Sequence, residues 1–83
     1  MKFTLEHEIP GRVRVKLYGR VPESDVDALE TVVTGCSFVD EAKVYPKIGS
    51  LAVTYHGGDA GRSGVLDALA AVDADAIERA RKS

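Results

Sequence analysis

From Phe3 to Leu17 the large apolar residues all fall on odd positions: Phe3, Leu5, Ile9, Val13, Val15 and Leu17, with His7 in the same phase. Alternation with period two is the signature of a half-buried strand. Pro10-Gly11 stands in the middle of it, although proline lacks an amide proton and glycine favours turns. A two-residue Pro-Gly hairpin would pair Ile9 with Arg12 and His7 with Arg14, mixing apolar and basic side chains on one face. The unbroken phase fits a bulged hairpin or one bent strand from about Lys2 to Tyr18, and the bent strand is the expectation adopted.

Further along, the period changes. Ser24 is suited to an N-cap, Asp25 and Asp27 suit the positive start of a helix, and Val26, Leu29, Val32 and Val33 form its apolar stripe until Gly35. Alternation returns over Val39 to Tyr45, with Ala42 and Val44 inward and Glu41, Lys43 and Tyr45 outward. Pro46 to Ser50 forms a turn, and Leu51, Val53 and Tyr55 mark a further strand. The glycine-rich run from His56 to Gly64 is expected to be a mobile loop. Val65, Leu66, Leu69 and Val72 then make the stripe of a second helix beginning near Gly61 to Ser63.

This β-α-β-β-α order predicts an α+β fold of ferredoxin-like plan, an antiparallel sheet with two helices on one face, with the fourth strand absent or replaced. Either that strand lies beyond Ser83 or the amino-terminal half of the long first strand supplies the missing edge. Residues 1–72 form the domain. Residues 73–83, rich in Ala and charge, read as a helical tail or linker and not as a strand. The expected core is Phe3, Leu5, Val13, Val15, Leu17, Val26, Leu29, Val33, Ala42, Val44, Leu51, Val53, Leu66 and Leu69.

Composition narrows the function classes. The 83 residues are 45% hydrophobic and 29% charged, enough for one small domain with a modest core. The net charge of −2 argues against a dedicated nucleic-acid binder. No apolar run approaches the roughly 20 residues that span a bilayer. Cys36 is the single cysteine, so no internal disulfide or Cys-x-x-Cys pair exists, which suits a cytoplasmic location.

The stretch His7 to Leu17 (HEIPGRVRVKL), the helix with ALETVV (Ala28 to Val33), the segment VDEAKVYPKIGSLAVTY (Val39 to Tyr55) and VLDALAAV (Val65 to Val72) together carry a resemblance. They are similar to the amino-terminal heavy-metal-associated-like domain of heavy-metal-translocating P-type ATPases, over about Glu6 to Val72. The resemblance implies a cytosolic domain that docks on other parts of the same pump and meets the membrane only through the parent protein. Metal-binding members of that family carry Cys-x-x-Cys between the first strand and first helix. Here that loop is Tyr18 to Ser24 (YGRVPES), which offers no thiolate for a soft metal. No cofactor is therefore expected, and no metal beyond weak Cu or Zn.

Three other readings bear on chemistry. His7, Cys36 and His56 are the borderline or soft ligands that the topology brings toward one pole, an alternative Cu or Zn module. Convergence needs the strand kink to rotate a histidine, because His7 has the phase of the helix-covered face and His56 that of the open face. Gly19-Arg20-Val21 is similar to the Gly-Arg-Val loop of acylphosphatases, which share this fold. Pro22-Glu23-Ser24-Asp25 then places negative charge where phosphate would sit, and the chain contains no Asn to position water, so that enzyme reading is set aside. Glycines 57, 58, 61 and 64 lack a neighbouring lysine and read as a connector, not a phosphate loop. No triad, carboxylate dyad or phosphate cradle remains, so the domain is expected to be non-catalytic. Finally, Arg12, Arg14, Lys16, Lys43, Tyr45 and Lys47 share the open face of the sheet or its rim, which makes that face the expected docking surface.

Overall fold

The computed structural model of the chain describes residues 1–82. Four strands, β1 (Phe3–Ile9), β2 (Arg12–Leu17), β3 (Val39–Tyr45) and β4 (Ser50–Tyr55), form one antiparallel sheet in the order β1-β2-β4-β3. Three helices accompany it: α1 (Val26–Thr34), preceded by a 3-10 turn at Glu23–Asp25, α2 (Gly58–Ala71) and α3 (Ala74–Lys82). This is the ferredoxin-like α+β arrangement with an added carboxy-terminal helix. The edge position beside β2, empty in the β-α-β-β-α order, is filled by β1 from the amino-terminal side.

The bent strand expected from Lys2 to Tyr18 is instead a bulged hairpin. Gly11 has φ of +83°, and with the proline ring holding Pro10 near −65° the pair meets the needs of a tight type II turn. Ile9 pairs with Arg12 and His7 with Arg14, the register that sets apolar beside basic residues. The conflict is resolved by one extra residue. The register shifts between Leu5 and His7, so Glu6 is a β-bulge, and beyond it Leu5 faces Val15 and Phe3 faces Leu17. Only Phe3 and Leu5 keep the core phase, while His7 and Ile9 turn to the open face. Ile9 is accordingly 47% exposed.

The core lies between the sheet and the helices. It is built from Val13, Val15, Leu17, Leu29, Val33, Val44, Leu51, Val53, Tyr55, Val65, Leu69 and Val72. Phe3, Val26 and Ala42 pack against it half-buried, as edge residues do. Two expected core positions differ. Leu5 is 38% exposed because it sits on the outermost strand, and in α2 the buried pair is Val65 and Leu69, with Leu66 turned to the rim.

The glycine-rich run is also corrected, since α2 begins at Gly58 and only His56 and Gly57 remain outside regular structure. These glycines serve contact. A Cβ on Gly61 would lie 1.8 Å from the His56 carbonyl oxygen, and one on Gly64 2.5 Å from the Phe38 ring. The helix is thus seated directly against the chain that enters and leaves the sheet. Helix α3 packs on α1, with Ile77 against the core, Asp73 accepting from the Ala76 amide at 2.8 Å as an N-cap, and Arg81 paired with Asp25 at 2.7 Å. The tail is therefore a docked helix over 74–82, and Ser83 falls outside the described residues.

Leu29→Ala, which empties a site 1% exposed, should cost about 2–5 kcal/mol, whereas Leu5→Ala should cost under about 1 kcal/mol. Chemical denaturation of both variants checks this. Equal losses would contradict the placement of β1 as a partly uncovered edge.

Candidate functional site

Side chains of even-numbered residues in β2 and β4 face away from the helices, as do Glu41, Lys43 and Tyr45 of β3. Cross-strand register sets three rows on this open face: Arg12–Thr54–Glu41, Arg14–Ala52–Lys43 and Lys16–Ser50–Tyr45. The basic residues expected there are there. Lys47 lies exposed in the β3–β4 turn at the end of the last row.

The middle of the face is not bare charge. Ala52 and Ser50 are buried beneath longer side chains. Glu6, aimed onto this face by the bulge, accepts from the Ser50 hydroxyl at 3.2 Å and lies 3.5 Å from Arg14 Nε. The Arg14 guanidinium sits 5.5 Å from the Tyr45 ring centroid and the Lys43 ammonium 5.8 Å from it, both within cation–π range. Arg14 and Tyr45 are thus tied into the sheet's own cover. Lys16 Nζ donates to the Ile48 carbonyl oxygen at 2.7 Å, bracing the β3–β4 turn.

Charge is segregated between the two sides. On the helical side Arg62 pairs with Glu8, Arg81 with Asp25, and Lys82 with Glu78 one helical turn earlier. Among the described residues no carboxylate pairs with Arg12, Lys16, Arg20, Lys43 or Lys47. Lys2, which lines a hollow with Val72, Asp73 and Ile77, also lacks a carboxylate partner, so five of the six such cations among the described residues, in a chain of net charge −2, lie on the open face and the pole beside it.

The Glu8–Arg62 pair has a different place. Glu8 faces the helices because the bulge has already shifted the phase, and it meets Arg62 of α2 at the hairpin end. The Arg62 hydrogen bond, helped by its charge, holds the Glu8 carboxyl below the usual glutamate range, while Glu8 raises the Arg62 guanidinium. A shallow cleft of about 390 Å³ between the Pro10-Gly11 turn and the start of α2 contains this pair. Asp59 lines it too, so the cleft holds two carboxylates against one guanidinium.

The three metal candidates are not brought together. His7 is on the open face of β1, the outer strand at one edge. Cys36 follows α1 and directs its Sγ toward the Gly64 carbonyl at 3.9 Å, and the His56 and Asp40 side chains lie 2.7 Å apart beside Phe38. His56 directly follows β4, two strand spacings or about 10 Å from β1, and Cys36 lies just before β3 at the opposite edge of the sheet. Among the described residues no group of three His, Cys, Asp or Glu is placed to hold a metal ion. His7 also has the opposite phase from the one expected, again because of the Glu6 bulge. The loop Tyr18 to Glu23 presents only Arg20 and Glu23 as charged groups, which does not fit a soft-metal thiolate site.

Sequence reasoning missed Glu6, Ser50 and Arg20. The first two follow from the bulge and from register. Arg20 enters the sequence reading only as a phosphate ligand, although its exposed position after β2 puts it beside Lys16 and Lys47. Family models, characterised proteins and solved structures show no match to this chain. Among the described residues no helix is long and apolar enough to cross a membrane.

Two outcomes are expected. Because the folded-state pKa of Glu8 is depressed, the pair stabilises in full above the ordinary glutamate value of about 4.3, and its contribution is lost as pH falls through the lowered folded value. Stability measured against pH should therefore show the wild type ahead of Glu8→Gln near neutrality and the two converging in acid. Parallel curves at all pH values would remove the pair's role. Separately, the reduced protein should show no stoichiometric sub-micromolar Cu(I) or Zn(II) binding in competition with a chelating indicator near neutral pH. Tight binding abolished in each of His7→Ala, Cys36→Ser and His56→Ala would mean that these three side chains do converge in solution.

Proposed function

We propose that this chain is a non-catalytic regulatory or docking domain whose open sheet face receives an acidic surface of a partner. The observation that carries the reading is the segregation of cations. Arg12, Lys16, Arg20, Lys43 and Lys47 lack carboxylate partners on one side, while the cations of the helical side named above are neutralised locally. Unmatched like charges on one flat face oppose solitary stability and favour an oppositely charged surface, chiefly by speeding and selecting encounter. Catalysis is not supported by any constellation at this face, whose central polar groups bond one another.

The nature of the partner rests on sequence. Pro10-Gly11-Arg12-Val13-Arg14 and Tyr45-Pro46-Lys47-Ile48-Gly49-Ser50 resemble the heavy-metal-associated-like domains of heavy-metal-transporting P-type ATPases. On this reading the partner is another cytoplasmic domain of the same pump, and the membrane is reached only through that parent. The loop without thiolates supports a docking role over metal delivery. Reading the gene past Ser83 for apolar segments of about 20 residues each and a phosphorylatable Asp motif tests the parentage directly.

The surface itself is tested with an oligoglutamate peptide titrated into isotopically labelled protein. Amide shifts should concentrate on β2, β3 and the β3–β4 turn, weaken steeply with added salt, and vanish in Arg12→Glu/Lys43→Glu. An oligolysine peptide should leave these amides unmoved. Shifts confined to the helical side, or unchanged in the double variant, would refute an acidic docking partner.

A further inference from the structure

The four-residue turn between β3 and β4 is a ridge with a different cleft on each flank. On one flank, a cleft of about 660 Å³ is lined by Lys16, Arg20 and Lys47 together with Gly19 and Gly49, and by no carboxylate. Gly19 and Gly49 have φ of +90° and +65°, and a Cβ at Gly19 would meet nothing within 4 Å, so bare backbone opens the floor of this cleft. On the other flank, a dimple of about 250 Å³ is lined mainly by Val44, Tyr45, Pro46 and Ile48, with Glu23 and Lys47 at its margin. Pro46, Lys47 and Ile48 line both. Ile48 is 51% exposed on the ridge, and its carbonyl holds the Lys16 ammonium at 2.7 Å.

We infer that this pole is a bipartite site for an acidic peptide segment carrying one bulky apolar side chain. The carboxylates lie in the Lys16–Arg20–Lys47 cleft, and the segment crosses the Pro46–Ile48 ridge to place the apolar side chain in the dimple. The inference rests on the docking reading above and names the chemistry of the partner at one end of that face. The two halves contribute differently, since the cations steer and select, whereas burial of the anchor against Val44, Pro46 and Ile48 slows release. Glu23, which also lines the dimple, repels anionic groups there, so the segment's carboxylates are kept to the Lys16–Arg20–Lys47 flank and the dimple is left to the apolar side chain. Tyr45, held between Arg14 and Lys43, is not free for base stacking.

The test uses three fluorescent peptides with the whole chain: a glutamate-rich peptide with a central Leu, the same with Ala in its place, and a lysine-rich peptide with Leu. The Leu-bearing acidic peptide should bind about tenfold more tightly than its Ala counterpart, the size expected for losing one buried aliphatic anchor. The lysine-rich peptide should not bind. Arg20→Glu/Lys47→Glu should abolish binding, and Ile48→Ser should erase the difference between Leu and Ala while leaving the dependence on salt, with circular dichroism confirming that each variant is folded. Equal affinity of the two acidic peptides, unaffected by Ile48→Ser, overturns the bipartite site and leaves acidic docking intact. Absence of binding by either acidic peptide overturns both. Tighter binding to anionic lipid vesicles or a single-stranded oligonucleotide than to the Leu peptide also overturns the inference and assigns the cations to that surface.

Discussion

One extra residue in a strand, Glu6, sets what the rest of the sheet can be. Without the bulge, the tight Pro10-Gly11 turn would keep Leu5 and Phe3 in the same phase as Ile9 and Arg12, on the open face, because a slip of one residue inverts every side chain. With it, the hairpin can have both a tight turn and a first half that faces the helices. That lets an amino-terminal strand fill the edge beside β2 and complete four strands. The same shift puts Glu8 under α2, where Arg62 meets it, and puts Glu6 on the open face, where Ser50 and Arg14 gather around it.

The other edge strand follows a related logic. β3 also carries a register shift, between Val39 and Glu41, and the extra residue Asp40 approaches His56. Further along, the Val44 amide donates to Glu30 of α1 at 2.8 Å, occupying a backbone group with a helix side chain. Bulges and side-chain cover on outer strands hinder pairing with another sheet. The docking proposed for this molecule accordingly uses a face and a pole, where the unmatched cations are, and not a strand edge. Helix seating reinforces the arrangement, since Gly61 and Gly64 allow α2 to approach His56 and Phe38 more closely than any residue with a side chain could.

The sequence alone determined the elements with strong periodicity. The stripes of Val26, Leu29 and Val33 and of Val65 and Leu69, and the alternations over β2, β3 and β4, mark both the type of element and the side it buries. Burial of an apolar face needs no information beyond spacing. The basic rows Arg12, Arg14, Lys16 and Lys43 were legible for the same reason, as the reverse of that alternation. What tertiary structure decided lies where one local signal serves two ends. Pro10-Gly11 can bend a strand or close a hairpin, and the choice depended on an edge being free beside β2. The glycines from Gly57 to Gly64 signal a loop by local propensity, yet packing against Phe38 and the His56 carbonyl makes Gly61 and Gly64 helix residues. The separation of His7 from Cys36 and His56, and the meeting of Arg20 with Lys16 and Lys47, follow from strand order and phase. Those are set by contacts between distant segments, which no local pattern of residues contains.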